Sequence, residues 1–176
     1  MLQQLGLNFE IFRPDVMEHV DPAQLEDSLL ETARRKALDA KRCYSTGLSI
    51  GCDTIVAQAD LVFGKPIDRT HAREMLLVLS GKAHQVKSAV VLVDLAQNHV
   101  VSGIETTNVQ FRALTITEIE RYLDTGEPFD KAGAYAIQGH GSILVERIEG
   151  CFSNVIGFPV SLFLKLKSEI ERTKQV

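Results

Sequence analysis

Asp53 stands inside the apolar stretch GCDTIVAQADLVFGKP, residues 51–66, and Lys65 follows it between Gly64 and Pro66. A carboxylate in a buried strand must be hydrogen-bonded, ion-paired or metal-bound, because an unpaired buried charge is expensive. Asp53, at the end of the run LSIGC, is therefore a cap for the turn that follows or a reactive acid. Lys65 reads two ways as well. Glycine lets backbone approach a ligand and proline stiffens the exit, so the side chain is presented from a defined loop, or it is a solvated turn lysine. A second dense region, EPFDKAGAYAIQGHG at residues 127–141, carries Lys131 and Gln138 among Gly133, Gly139 and Gly141. Such a loop turns backbone N–H groups toward an anion, or it is only a crossover between helix and strand. Lys131 adds a positive point charge. The Gln138 carboxamide, donor and acceptor at once, suits the edge of a base.

Weaker candidates surround these. Glu18, between Met17 and His19, is a metal ligand or a surface acid. The histidines show neither H-x-x-x-H nor H-E-x-x-H spacing, which argues against a histidine-based metal site, and His84 and His140 read as structural or solvent-facing. Neither G-x-x-x-x-G-K-[ST] nor G-x-G-x-x-G is present, nor the G-x-S-x-G of serine hydrolases. Acids (Glu18, Asp53) hold a hard cation such as Mg²⁺, and lysines (Lys36, Lys65, Lys131) neutralise phosphate oxygens. The chemistry these types suggest is metal-assisted attack on a polyphosphate.

The elements that must position them follow from periodicity. Asn8 to Arg13 is a short β-like run closed by Pro14. After Asp21-Pro22, Leu25, Leu29, Ala33, Ala37 and Ala40 share one helical face, with Lys36 about 60° off that stripe, so that its stem packs and its ammonium reaches out. Leu48 to Ala57 reads as a buried strand. Asp68 caps a helix whose stripe is Ala72, Met75, Leu76 and Leu79, stopped by Gly81. His84 to Leu95 and Val100 to Ala113 form an antiparallel hairpin. Thr115 and Glu118 make a capping box for a helix carrying Ile119, Tyr122 and Leu123. After the glycine-rich segment comes a strand from Ser142 to Ile148, then a last amphipathic helix from Pro159 to about Glu171. Helices interleaved with strands and one hairpin give the fold class α/β with a mixed sheet and flanking helices.

Composition sets the limits. At 176 residues, 45% hydrophobic and 24% charged, the chain suits one domain over residues 1–176. No apolar run approaches the roughly 18 residues of a membrane span, and the opening residues lack a basic segment followed by a hydrophobic one, so a cytoplasmic protein with no membrane partner is expected. Cys43, Cys52 and Cys151 show no C-x-x-C spacing and read as reduced core thiols. A net charge of −4 offers no basic field for a nucleic-acid polymer, while a small anionic ligand with a divalent cation remains compatible.

The run of motifs GCDTIV (51–56), GKP (64–66), MLLVLSG (75–81), VQFR (109–112), TGEPFDKAGAYAIQG (125–139), VERIEG (145–150) and NVIGFP (154–159) resembles the Maf family of nucleoside triphosphate pyrophosphatases, from about Leu5 to the last helix. The resemblance implies an elongated α/β fold with a cleft, and hydrolysis of a nucleoside triphosphate to the monophosphate and pyrophosphate with a divalent cation, Mg²⁺ or Mn²⁺. Its proton acceptor falls on Asp53. Its substrate-contacting glutamate, lysines and glutamine fall on Glu18, Lys36, Lys65 and Gln138, and Lys131 matches the lysine of its D-K-A-G motif. Metal ligation would rest on Asp53 and Glu18. Thr54 and Gln138 fit the branch acting on dTTP and UTP, where a neutral amide complements a uracil or thymine edge. Cys52 replaces the usual alanine. A homodimer is in keeping with the family.

The family also implies an opening strand and an S-x-S-P-R-R segment ahead of Q-L-G, and this sequence begins just before Gln4-Leu5-Gly6. The expectation is a fold without that first strand and arginine loop, whose arginines would bind phosphate. The alternative is then a catalytically impaired or inactive nucleotide-binding or regulatory protein. A cell-division regulator acting through protein contacts finds no surface motif in the sequence.

Overall fold

A computed structural model describes residues 1–173. The strands are β1 (Leu48–Gln58), β2 (Leu61–Phe63), β3 (Ala83–Asp94), β4 (His99–Phe111) and β5 (Val145–Glu149). The helices are α1 (Leu25–Asp39), α2 (Arg69–Leu79), α3 (Ile116–Asp124), the single turn α4 (Phe152–Val155) and α5 (Val160–Arg172). The chain forms two compact units. One comprises Met1–Asp53, Ser88–Glu105 and the stretch from Phe158 onward; the other comprises Thr54–Lys87 and Thr106–Gly157. Strands β1, β3 and β4 each pass from one unit into the other, so neither unit is a continuous piece of chain.

The α/β class holds, and the sheet has the order β2-β1-β3-β4-β5. Where a mixed sheet is expected, the pairing is antiparallel. β1 meets β2 with Val56 opposite Phe63, and β4 meets β5 with Val109 opposite Ile148 and an irregularity between Gln110 and Phe111. β3 turns directly into β4 through a tight connection in which the Asp94 carboxylate accepts from the amides of Ala96 and Gln97 and Asn98 takes a positive φ of 58°. The Leu95 amide donates to the Gly47 carbonyl, tying the end of β3 to the start of β1. Strands joined by such short connections can only be antiparallel neighbours.

In the first unit, Val90, Leu92 and Val101 pack against Phe163, Leu166 and Ile170, the i, i+3, i+7 stripe of α5. Pro159 takes the N-cap of α5. On α1 the buried face is Leu29, Thr32, Ala33 and Ala37. Gly51 lies directly against that face: a Cβ there would fall 2.0 Å from the Ala33 carbonyl oxygen and 2.7 Å from the Ala37 nitrogen. The Ser49 hydroxyl completes the contact by donating to the Ala37 carbonyl at 2.8 Å. Residues 8–13, with their β-like alternation, form no strand. Ile11 is 83% exposed, so alternation finds no sheet to pair with, and side chains hold the segment instead. Tyr44 donates to Glu10 at 2.8 Å and packs edge-on against Phe12, and the Asp15 amide donates to Asp39.

The core of the second unit gathers Val56, Phe63, Met75, Leu76, Leu79, Phe111, Ile119, Tyr122, Leu123 and Leu144. Both expected helix caps are present. The Asp68 carboxylate accepts from the His71 amide, and Thr115 and Glu118 form a reciprocal capping box. β2 is too short to show a period. The strand expected over Ser142–Ile148 begins only at Val145, because residues 139–144 wind into 3-10 turns. The cysteines form no disulfide among the described residues, and none is fully buried: Cys43 is exposed, and Cys52 and Cys151 are half-buried, Cys52 at the edge of the first unit's core.

Candidate functional site

Asp53 does not end its strand. It sits in the middle of β1, nearly buried, which removes the turn-cap reading. The close approach of α1 at Gly51 sets Lys36 against it: Lys36 Nζ donates to Asp53 Oδ1 at 2.6 Å. The same ammonium is 2.6 Å from Glu18 Oε1, so one cation is bracketed by two carboxylates. The small residues that form the α1 stripe are what permit this approach; larger side chains would hold helix and strand apart.

Glu18 is brought there by backbone capture. The carbonyls on either side of it are held by α1, with Arg35 Nη2 donating to Met17 O at 2.6 Å and Thr32 Oγ1 donating to His19 O at 3.1 Å. Sequence reasoning missed Arg35 and Thr32. Their position on the helix turns around Lys36 was the only signal, and nothing local says that an irregular segment would dock there. Burial works against the Lys36 ammonium. Its hydrogen bonds to Asp53 and Glu18, together with both negative charges, outweigh that and raise its pKa above the usual lysine value.

In the second unit, Lys65 and Lys131 share a neighbourhood through Asp130. Lys131 Nζ donates to Asp130 Oδ1 at 2.5 Å. That bond, with the charge of Lys65 in support, holds the Asp130 carboxyl below its ordinary range. The two loops are joined by the Gly133 amide, which donates to the Gly64 carbonyl at 3.0 Å, and Gly133 has a φ of +69° that a side chain would strain. Gln138 stands exposed on its own loop. Thr54 donates to the Gly157 carbonyl at 3.3 Å. Glu18, Lys36 and Asp53 thus form one cluster within the first unit, and Lys65 and Lys131 form another within the second.

Of the histidines, His84 is structural. Its ring lies edge-on to Phe111 and Tyr135, Nε2 is 2.8 Å from the Tyr135 hydroxyl, and burial lowers its pKa to about 4. His140 is exposed, and its backbone amide is held by Glu127.

Among the described residues no three His, Cys, Asp or Glu side chains gather as a metal site. The donor chemistry still suits a hard cation. Mg²⁺ is commonly held by one or two carboxylates with substrate phosphates and water supplying the rest, and Asp53 and Glu18 are two carboxylates on one ammonium.

By fold the protein is an α/β protein whose acids and lysines gather in two clusters, one in each unit. It belongs to the Maf family: the model described as Maf-like protein matches residues 1–170. Among curated proteins it is similar to the dTTP/UTP pyrophosphatase of Desulforamulus reducens, 43% identical over 92% of this chain and 85% of that protein. It is also similar to those of Thermoanaerobacter sp., 42% identical over 97% of this chain and 91% of the relative, and of Bdellovibrio bacteriovorus, 40% identical over 96% and 91%.

Proposed function

We propose that the protein hydrolyses pyrimidine nucleoside triphosphates, dTTP and UTP, to the monophosphate and pyrophosphate, in the cytoplasm where these nucleotides are held. The observation that carries the reading is the Lys36 ammonium lying 2.6 Å from both Asp53 and Glu18. The names of the curated relatives point to the same substrates.

Asp53 and Glu18 would hold a divalent cation, Mg²⁺ or Mn²⁺. When bound, such an ion neutralises phosphate charge and makes a coordinated water more acidic. Asp53 orients the attacking water and accepts its proton at a carboxylate oxygen, and its bond to Lys36 fixes the carboxylate's rotamer. Lys36 offsets negative charge that builds at the α–β bridge as the bond breaks. Lys65 and Lys131, held beside the Asp130 carboxylate, take the role of phosphate counter-charges. Gln138 presents its carboxamide to the imide edge of uracil or thymine, and Thr54 supports the β1 backbone next to Asp53 through its bond to Gly157.

Product analysis tests the assignment. With dTTP or UTP and Mg²⁺, the protein should yield dTMP or UMP and pyrophosphate in equal amounts. Release of single phosphate with the diphosphate left over, or no turnover of either nucleotide, contradicts it.

A further inference from the structure

One carboxylate collects several donors around the loop that carries Gln138. Glu127 Oε2 accepts the His140 amide at 3.0 Å, and Glu127 Oε1 accepts the Gly141 amide at 3.1 Å and the Tyr122 hydroxyl at 3.1 Å. That hydroxyl in turn accepts the Ala136 amide at 3.0 Å. Backbone amides on both sides of Gln138 are therefore gathered by one Glu127–Tyr122 pair.

The glycines of the loop are shaped to the same pair. A Cβ on Gly139 would lie 2.7 Å from Glu127 Oε2, and one on Gly141 would lie 2.8 Å from the Tyr122 hydroxyl and 2.1 Å from the Ala136 carbonyl oxygen. Gly139 also has a φ of +68°. Glycine at both positions lets the backbone close onto the carboxylate, which larger residues would push away. Tyr122 is nearly buried on α3, and Glu127 is half-buried in the turn that leaves α3, so the clamp is anchored to a helix. A carboxylate accepting several N–H and O–H donors makes charge-assisted bonds, about twice as strong as neutral ones.

We propose that Glu127, acting with Tyr122, is a positioning residue that fixes the 136–141 loop so that the Gln138 carboxamide meets the pyrimidine base. The proposal rests on the nucleotide reading above, since that reading gives Gln138 its role. The hydrogen bonds of Glu127 go to Tyr122 and to the His140 and Gly141 amides, so its effect is carried by the loop. Loss of the clamp should weaken base recognition more than the chemical step.

The test uses the full chain and two readouts. In Glu127→Ala, amide hydrogen exchange should accelerate at Ala136, His140 and Gly141 while the β3 and β4 amides stay protected. Steady-state hydrolysis of dTTP and UTP should show KM raised roughly tenfold or more with a smaller change in kcat, as expected when an orienting contact is lost. Glu127→Ala combined with Gln138→Ala should be no worse than the poorer single variant, because both remove the same contact. Glu127→Gln, which keeps one acceptor oxygen, should fall between wild type and Glu127→Ala, and it carries the test if the alanine variant does not fold. Unchanged exchange in the loop, or fully additive losses in the double variant, would overturn the proposal. A wild-type protein that turns over neither nucleotide contradicts the nucleotide reading, whereas loop exchange in Glu127→Ala still decides whether the clamp exists.

Discussion

At the scale of single residues, Lys36 links the two acids of the site. Its ammonium lies at hydrogen-bond distance from Asp53, and Asp53 is nearly buried. Replacing Lys36 with methionine keeps the packing stem and leaves a mostly buried carboxylate without its ammonium. Breaking such a pair should cost about 3 kcal/mol, read from the urea midpoint at constant slope. Adding Asp53→Asn to Lys36→Met should return part of that loss, since the carboxylate charge that the ammonium balanced goes with it. His84 gives a second prediction. Its folded pKa is about 4 against an ordinary 6.5, so between those values the unfolded chain binds a proton that the folded one does not. Stability is fully present above pH 6.5 and declines as pH falls toward 4, by roughly 3 kcal/mol in all. In His84→Phe the decline over that window should be shallower, checked by denaturant titration at several pH values.

At the scale of elements, the contact of α1 with β1 is what brings acid and lysine together, and Gly51 is its narrowest point. Gly51→Ala places a methyl 2.0 Å from the Ala33 carbonyl oxygen, so helix or strand must move. The variant should lose about 3 kcal/mol, and pyrophosphate release should fall with it. For α3, the Glu118 carboxyl is lowered from 4.5 to about 2 by the Thr115 backbone bond and by Arg112. Its contribution to the cap is complete above pH 4.5 and is lost as pH falls toward 2. Thr115→Ala should cost about 1 kcal/mol at neutral pH by thermal or urea unfolding. The caps of α2 and α3 were legible because a cap is local: residue types three apart suffice to specify it. The β-like run at residues 8–13 was not, since a strand needs a partner that only the fold supplies. β2 escaped notice because it has just three residues.

At the scale of the whole molecule, the α/β class, the β3–β4 hairpin and the apolar faces of α1, α2, α3 and α5 could be read from the sequence, because burial imposes their periods. The division into two units was hidden: three strands cross between them, and no linker or shift of composition marks a boundary. Of the site, Lys36 was half visible, being near the α1 stripe but off it. Its joint contact with Asp53 and Glu18 joins residues far apart in the chain and is set by docking alone. Asp130 and Glu127 were overlooked as organisers because in sequence they are two more acids beside a turn. Membership of the Maf family and the likeness to dTTP/UTP pyrophosphatases give the molecule its chemical frame. The most direct test of that frame is pyrophosphate release from dTTP and UTP with Mg²⁺, measured side by side for the wild-type protein and for Asp53→Asn with its fold confirmed. The account predicts turnover by the wild type and a loss of about a hundredfold or more in the variant; equal rates for the two proteins would contradict it.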